Sequence, residues 1–211
     1  MIKNIVFDLG GVIVGLDKKN CLTTFDKMLG FKDFDKYLNT FLQNGFFQDF
    51  ENGEINAHQF RTIIRAHSSN PLITDEQIDY AVRTFLTEVK MKTVMYLIEL
   101  KKHYRLFLLS NTNPIAFPKC KQLFLSAYGI PVDSLFEKLF LSYEMKCSKP
   151  FKPIFEKMLE VAQIVAPETL FIDDSKANVE SAEELGFKTL CYEVKVDFKE
   201  QIQNKLGQYN D

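Results

Sequence analysis

What this chain lacks narrows it first. Its 211 residues carry a formal net charge of −2 and no block of like charge. That excludes a broad basic face for nucleic acid and a polybasic anchor for an anionic membrane, but not a local basic pocket for a small phosphorylated partner. Four cysteines, Cys21, Cys120, Cys147 and Cys191, lie far apart with no pair at metal-ligand spacing. A chain of this length does not need disulfides to fold, so they read as reduced thiols of a cytoplasmic protein. The three histidines, His58, His67 and His103, also lack ligand spacing and read as structural or surface residues. No apolar run near the N-terminus is long enough for a signal peptide or membrane span, because Asp8 interrupts it. Internal repeats and low-complexity segments are missing too.

What remains is an ordinary globular composition. With 46% hydrophobic and 26% charged residues, wholesale disorder is not expected. The length allows one large domain or two small ones. Ile5-Val6-Phe7 reads as a buried strand that stops at Asp8, with Gly10 and Gly11 just beyond. A carboxylate at a strand end, followed by glycines, is how open α/β sheets build ligand sites. The competing reading is that Asp8 caps a helix in the next turn.

From about Leu16 to Val89 the pattern is helical, with no convincing strand. Leu22, Phe25 and Leu29 share a face, as do Phe34, Leu38 and Phe41 or Leu42. Asn56 with Gln59, and Thr74 with Gln77, read as capping boxes, the second ahead of Ile78, Ala81, Val82, Phe85 and Leu86; Pro71 breaks the chain between them. Afterwards helix and strand alternate. Strands are expected at Leu106–Leu109, Lys138–Ser142, Thr169–Ile172 and Lys188–Tyr192, and a closing helix carries Phe198, Ile202 and Leu206. Alternation of this kind predicts an α/β fold, a doubly wound parallel sheet with helices on both faces. The expected division is a core of residues 1–15 and 89–211 and a helical insert of residues 16–88.

Strand ends of a parallel sheet converge on one rim, so Asp8, Ser110-Asn111 and Asp173-Asp174 are expected to meet. Clustered carboxylates repel unless a cation sits among them, and hard oxygen donors suit Mg²⁺ better than zinc. Simple helix capping for Asp173-Asp174, turn chemistry for Ser110-Asn111 and a solvated surface position for Lys149 are the alternatives.

IVFDLGGVIV, LFLLSNTN, the Lys149-Pro150 pair and LFIDDSKANVESAEELG resemble, in order, the four motifs of the haloacid dehalogenase superfamily of hydrolases. The likeness spans essentially the whole chain, places the helical insert where that family carries a helical cap, and is nearest to its bacterial sugar-phosphatase-like branch. It implies a Mg²⁺-dependent phosphatase acting on a small phosphorylated metabolite. Asp8 would be the nucleophile that forms an aspartyl-phosphate. Asp8, the Gly10 carbonyl and Asp174 would hold the metal, with Asp173 acting directly or through water. Ser110 and the Asn111 backbone would bind the phosphoryl group, Lys149 would balance its charge, and Asn178 would support them. A metal-free hydrolytic dehalogenase and a weakly catalytic module that binds phospho-ligands are the alternatives.

The sequence departs from the family's pattern at one position. Most phosphatases of this family carry a general acid and base aspartate two residues past the nucleophile, and here that residue is Gly10. Without it, good leaving groups should be favoured, unless Asp17 or a residue of the helical insert supplies the proton.

Overall fold

The computed structural model describes residues 1–39, 42–70 and 72–210, with residue 210 described by its backbone alone. The readings of Phe41 and Pro71 fall outside the described residues. Five short apolar runs become the strands of one parallel sheet: β1 (Asn4–Phe7), β4 (Arg105–Ser110), β5 (Lys138–Leu141), β6 (Thr169–Asp173) and β7 (Lys188–Cys191), in the order β5-β4-β1-β6-β7. Their side chains alternate between two cores, as the two-residue period of a strand requires. Ile5, Phe7, Leu106, Leu108, Leu170 and Ile172 pack on one face against α5 (Met91–Leu100), α6 (Ala116–Tyr128) and α10 (Phe198–Asn210). Val6, Phe107, Leu109 and Phe171 face the other way, against α8 (Lys152–Ala162) and α9 (Lys176–Glu184). A doubly wound sheet is therefore present.

Register puts the chemistry on one rim. Phe7 pairs with Leu108 of β4 and with Ile172 of β6. The residues that follow, Asp8, Ser110-Asn111 and Asp173-Asp174, therefore leave the sheet side by side. From β1 the chain winds outward through β4 and β5, then returns to β6 and β7 on the other side. The rim residues thus stand at the sheet's topological switch point, where open α/β sheets bind ligands.

Between β1 and β4 the chain builds α1 (Lys18–Lys27), α2 (Gly45–Glu51), α3 (Ala57–His67) and α4 (Asp75–Arg83). Both expected capping boxes form, Asn56 with Gln59 and Thr74 with Gln77, each with reciprocal side-chain and backbone bonds. These helices bury their own aromatic cluster, in which Phe25, Phe34, Phe47, Phe50 and Phe60 meet Ile115 and Ala116 at the start of α6. A four-residue helix, α7 (Ser142–Met145), follows β5 and packs beside α2.

Three details differ from the sequence reading. Strands β2 (Val14–Leu16) and β3 (Leu86–Val89) pair antiparallel, so the stretch read as wholly helical contains a ribbon at its neck. Helix α4 ends at Arg83, which releases Phe85 and Leu86 from the helix and frees Leu86 to pair with Leu16. Around Phe34 there is one 3₁₀ turn, Phe34–Lys36, rather than a longer helical face. No described helix is long and apolar enough to cross a membrane.

Candidate active site

Asp8 leaves β1 with its amide donating to the Ile172 carbonyl at 2.9 Å, so its backbone is still part of the sheet. Beyond it the chain turns tightly: Gly11 donates to Val14 and Val14 donates to Leu9, both at 2.8 Å. The bridge between Gly10 and Val14 uses those two bonds, and Gly10's own carbonyl takes no part in it. Gly11 has φ +79° and lies against Asp174; a Cβ on it would sit 2.1 Å from Asp174 Oδ2. Only glycine lets the loop pass that close.

Lys149 is the hub. Its side chain is 1% exposed, and Nζ donates to Asp8 Oδ1 at 2.7 Å and to Asp173 Oδ2 at 2.6 Å. A buried ammonium between two carboxylates is not the solvated surface residue that its sequence context also allowed. Burial alone would lower its pKa, but Asp173 and Asp8 together outweigh that and raise it, so Lys149 stays charged. Asn111 fixes its backbone: the Asn111 amide donates to the Lys149 carbonyl and accepts from the Lys149 N–H, both at 2.9 Å. The Asn111 side chain is thus occupied in clasping Lys149.

Asp173 is fully buried, and both its oxygens are engaged. Oδ1 accepts from the Ser175 N–H at 2.8 Å and from Asn178 at 3.0 Å, while Oδ2 takes Asn178 at 3.1 Å and Lys149. Asn178, in the first turn of α9, is brought into the site by that contact. Asp174 instead faces the cleft, where burial and the neighbouring Asp173 push its carboxyl up to about 6. Burial likewise raises Asp8, against the pull of Lys149. Asp8, Asp173 and Asp174 each offer an oxygen within 4.8 Å of the others. Ser110, 2% exposed, borders the same cleft with Asn111.

Asp17 is a correction. It caps α1, accepting from the Asn20 N–H at 2.8 Å, and does not line the cleft. A short polar side chain just before a helix serves the orphan backbone donors there, which explains its position without chemistry.

The cleft lies between the rim and the helical insert. Leu16, Phe25, Leu38, Phe47, Val82 and Phe85 form an apolar wall. Two polar residues on that side escaped the sequence reading, Gln43 and Glu51. Gln43 Oε1 accepts from the Asn39 N–H at 2.8 Å, and its amide nitrogen makes no hydrogen bond among the described residues. Glu51 is 7% exposed, and burial, reinforced by the charge on Asp8, raises its carboxyl to about 8. Glu51 stands four residues after Phe47, on the apolar face of α2; a carboxylate at that spacing in an aromatic-rich stretch was the available signal.

The sequence pattern of the haloacid dehalogenase-like hydrolases matches residues 2–186. A D-ribitol-5-phosphate phosphatase of Bacteroides thetaiotaomicron is 37% identical over 202 residues, covering 96% of this chain and 97% of that protein. The crystal structure of a haloacid dehalogenase-family enzyme from the same species, an aspartate-to-alanine variant in complex with magnesium and inorganic phosphate, superposes with TM-score 0.90 at 36% identity. It covers 96% of this chain and 99% of that one. A hydrolase of the same fold from Porphyromonas gingivalis gives 0.87 at 37% identity, covering 98% of both chains.

Proposed function

We propose a function from one premise: the chain belongs to the haloacid dehalogenase-like hydrolase family. It is a Mg²⁺-dependent phosphomonoesterase that hydrolyses a small phosphorylated metabolite of the sugar- or polyol-phosphate class. The substrate class is carried over from the D-ribitol-5-phosphate phosphatase that resembles this chain end to end. The single observation that carries the mechanism is Lys149, buried and bonded to Asp8 and Asp173 at 2.7 and 2.6 Å, with Asp174 beside them.

Asp8 is the nucleophile. Lys149 favours its ionised form and orients it, and attack on phosphorus gives an aspartyl-phosphate that water then hydrolyses. The donor set fits a divalent cation: the ligating atoms are hard oxygens within 4.8 Å of one another, and the Gly11 loop is pressed against Asp174. Asp8, Asp174 and the Gly10 carbonyl would hold it. Asp173 already accepts from Ser175, Asn178 and Lys149, which favours action through water and through its grip on Lys149 over direct ligation. When bound, Mg²⁺ offsets the charge of the phosphoryl oxygens and of the crowded carboxylates. Ser110 and the Asn111 N–H are the donors for the phosphoryl group, and Lys149 meets the charge that develops there. Residues 16–88 act as a cap, whose apolar wall excludes bulk water from the reaction.

The test is phosphate release from a panel of sugar and polyol phosphates with and without Mg²⁺. Release that depends on Mg²⁺ in the wild type and vanishes in Asp8→Asn is the expected result. Turnover in that variant, or release indifferent to chelation, would overturn the assignment.

A further inference from the structure

The reaction proposed above needs a proton as well as a nucleophile, and the β1 loop does not supply one. Expelling an alkoxide leaves negative charge on the departing oxygen, and a positioned acid is worth about 10²–10⁴ in rate there. Position 10 is glycine, and the space beside it is taken: a Cβ on Gly10 would lie 3.3 Å from both methyl carbons of Leu16. The titratable side chains lining the cleft, among the described residues, are Asp8, Cys21, Glu51, Lys149 and Asp174. Cys21 is excluded, since burial pushes its thiol up to about 12 and its Sγ is directed at the Ala81 carbonyl. Lys149 is bound by two carboxylates, Asp8 is the nucleophile, and Asp174 belongs to the cation. Glu51 is left.

We propose that Glu51, on the insert's side of the cleft that Asp8 lines from the sheet rim, is the general acid and base of this phosphatase, a role that rests on the phosphomonoesterase reading. Its geometry suits the task. Glu51 is the last residue of α2, buried, and its carboxyl makes no hydrogen bond to another described residue. The chain just beyond it is pinned to the core. Lys146 Nζ donates to the Gly53 carbonyl at 2.5 Å, and a Cβ on Gly53, which has φ +66°, would lie 2.2 Å from the Tyr143 carbonyl. The end of helix α2 is therefore anchored against α7, which follows β5. Burial in this apolar wall keeps the carboxyl protonated at neutral pH, as an acid requires.

The steps balance. As an Asp8 oxygen bonds to phosphorus, the bond from phosphorus to the leaving oxygen breaks, and that oxygen takes its electron pair and the Glu51 proton to depart as an alcohol. Glu51 is then a carboxylate. It removes a proton from the water that attacks phosphorus, the bond between Asp8 and phosphorus breaks, and both side chains return to their starting states.

The test compares wild type, Glu51→Gln and Glu51→Asp on a primary alkyl phosphate and on p-nitrophenyl phosphate, with Mg²⁺ present. Glu51→Gln should lose about 10²–10⁴-fold in kcat on the alkyl ester. On the aryl ester, whose leaving group needs no proton, formation of the phosphoenzyme should fall less than about tenfold, and nitrophenolate should appear as a burst because dephosphorylation has lost its base. Glu51→Asp, which keeps an acid on a shorter arm, should recover part of the alkyl activity. An equal loss on both esters, or no loss on either, would overturn the assignment, and intact thermal unfolding of both variants excludes misfolding as the cause. A wild type without Mg²⁺-dependent release would instead defeat the phosphatase reading itself.

Discussion

Gly11 sits where a methyl group has nowhere to go: φ is +79° and the nearest atom to an added Cβ is Asp174 Oδ2, at 2.1 Å. Gly11→Ala is therefore expected to cost about 1–3 kcal/mol, from backbone strain and from displacing the carboxylate. Urea unfolding should register the loss, and Mg²⁺ titration of the variant should show weaker stabilisation; wild-type behaviour in both would contradict this packing. Glu51 yields a pH prediction with a definite sign. Its carboxyl holds a proton up to about 8 in the folded chain, against an ordinary glutamate value of 4.5. Between those values the folded protein binds more protons than the unfolded one, so stability falls as pH rises. The metal-free protein should show a declining urea midpoint from pH 5 to pH 8, and Glu51→Gln should flatten part of that decline. An identical slope in the variant would refute it. At this scale the sequence was legible wherever a residue's position follows from its place on a strand: Asp8, Ser110 and Asp174 end apolar runs and line one cleft. Glu51 was only half legible: its spacing after Phe47 hints at a buried carboxylate, but its place on the same cleft as Asp8 comes from tertiary packing, which no local spacing encodes.

Helices and strands with strong periodicity were read correctly, as were both capping boxes, because their signals lie within a few residues. The β2–β3 ribbon was missed for the opposite reason. Its strands of three and four residues stabilise one another only across some seventy positions of chain, with Leu16 opposite Leu86. That ribbon also changes what can be done at Gly10. Its φ lies outside the left-handed region, so the backbone accepts a side chain there, but the 3.3 Å approach of Leu16 means the leucine must give way. Gly10→Asp alone is expected to destabilise by about 1–3 kcal/mol, as overpacked sites do. Combined with Leu16→Ala, the aspartate should cost less than the two single changes predict when added. A double-mutant cycle in urea measures that coupling, and strict additivity would mean the two side chains do not compete for the same space.

For the molecule as a whole, the metal is a lever on stability. The carboxylates at the switch point are held near one another by the sheet, so a cation that binds only the folded state should raise the unfolding midpoint. At a concentration of a hundred times its Kd the gain is about 2.7 kcal/mol. Thermal unfolding with and without Mg²⁺ reads it, and Asp174→Ala should remove the response while leaving the metal-free midpoint unchanged or higher. The same rim also dictates an order of events. Three carboxylates stand against one ammonium there, so a phosphate dianion approaching the metal-free protein meets net repulsion, and one approaching the metal-loaded protein does not. Binding of the two ligands must then be mutually reinforcing, and by thermodynamic reciprocity the factor is the same in both directions. Calorimetry should find that Mg²⁺ tightens inorganic phosphate by the same ratio that phosphate tightens Mg²⁺. With the metal site full, product phosphate should therefore compete with substrate at lower concentrations than it does when Mg²⁺ is limiting.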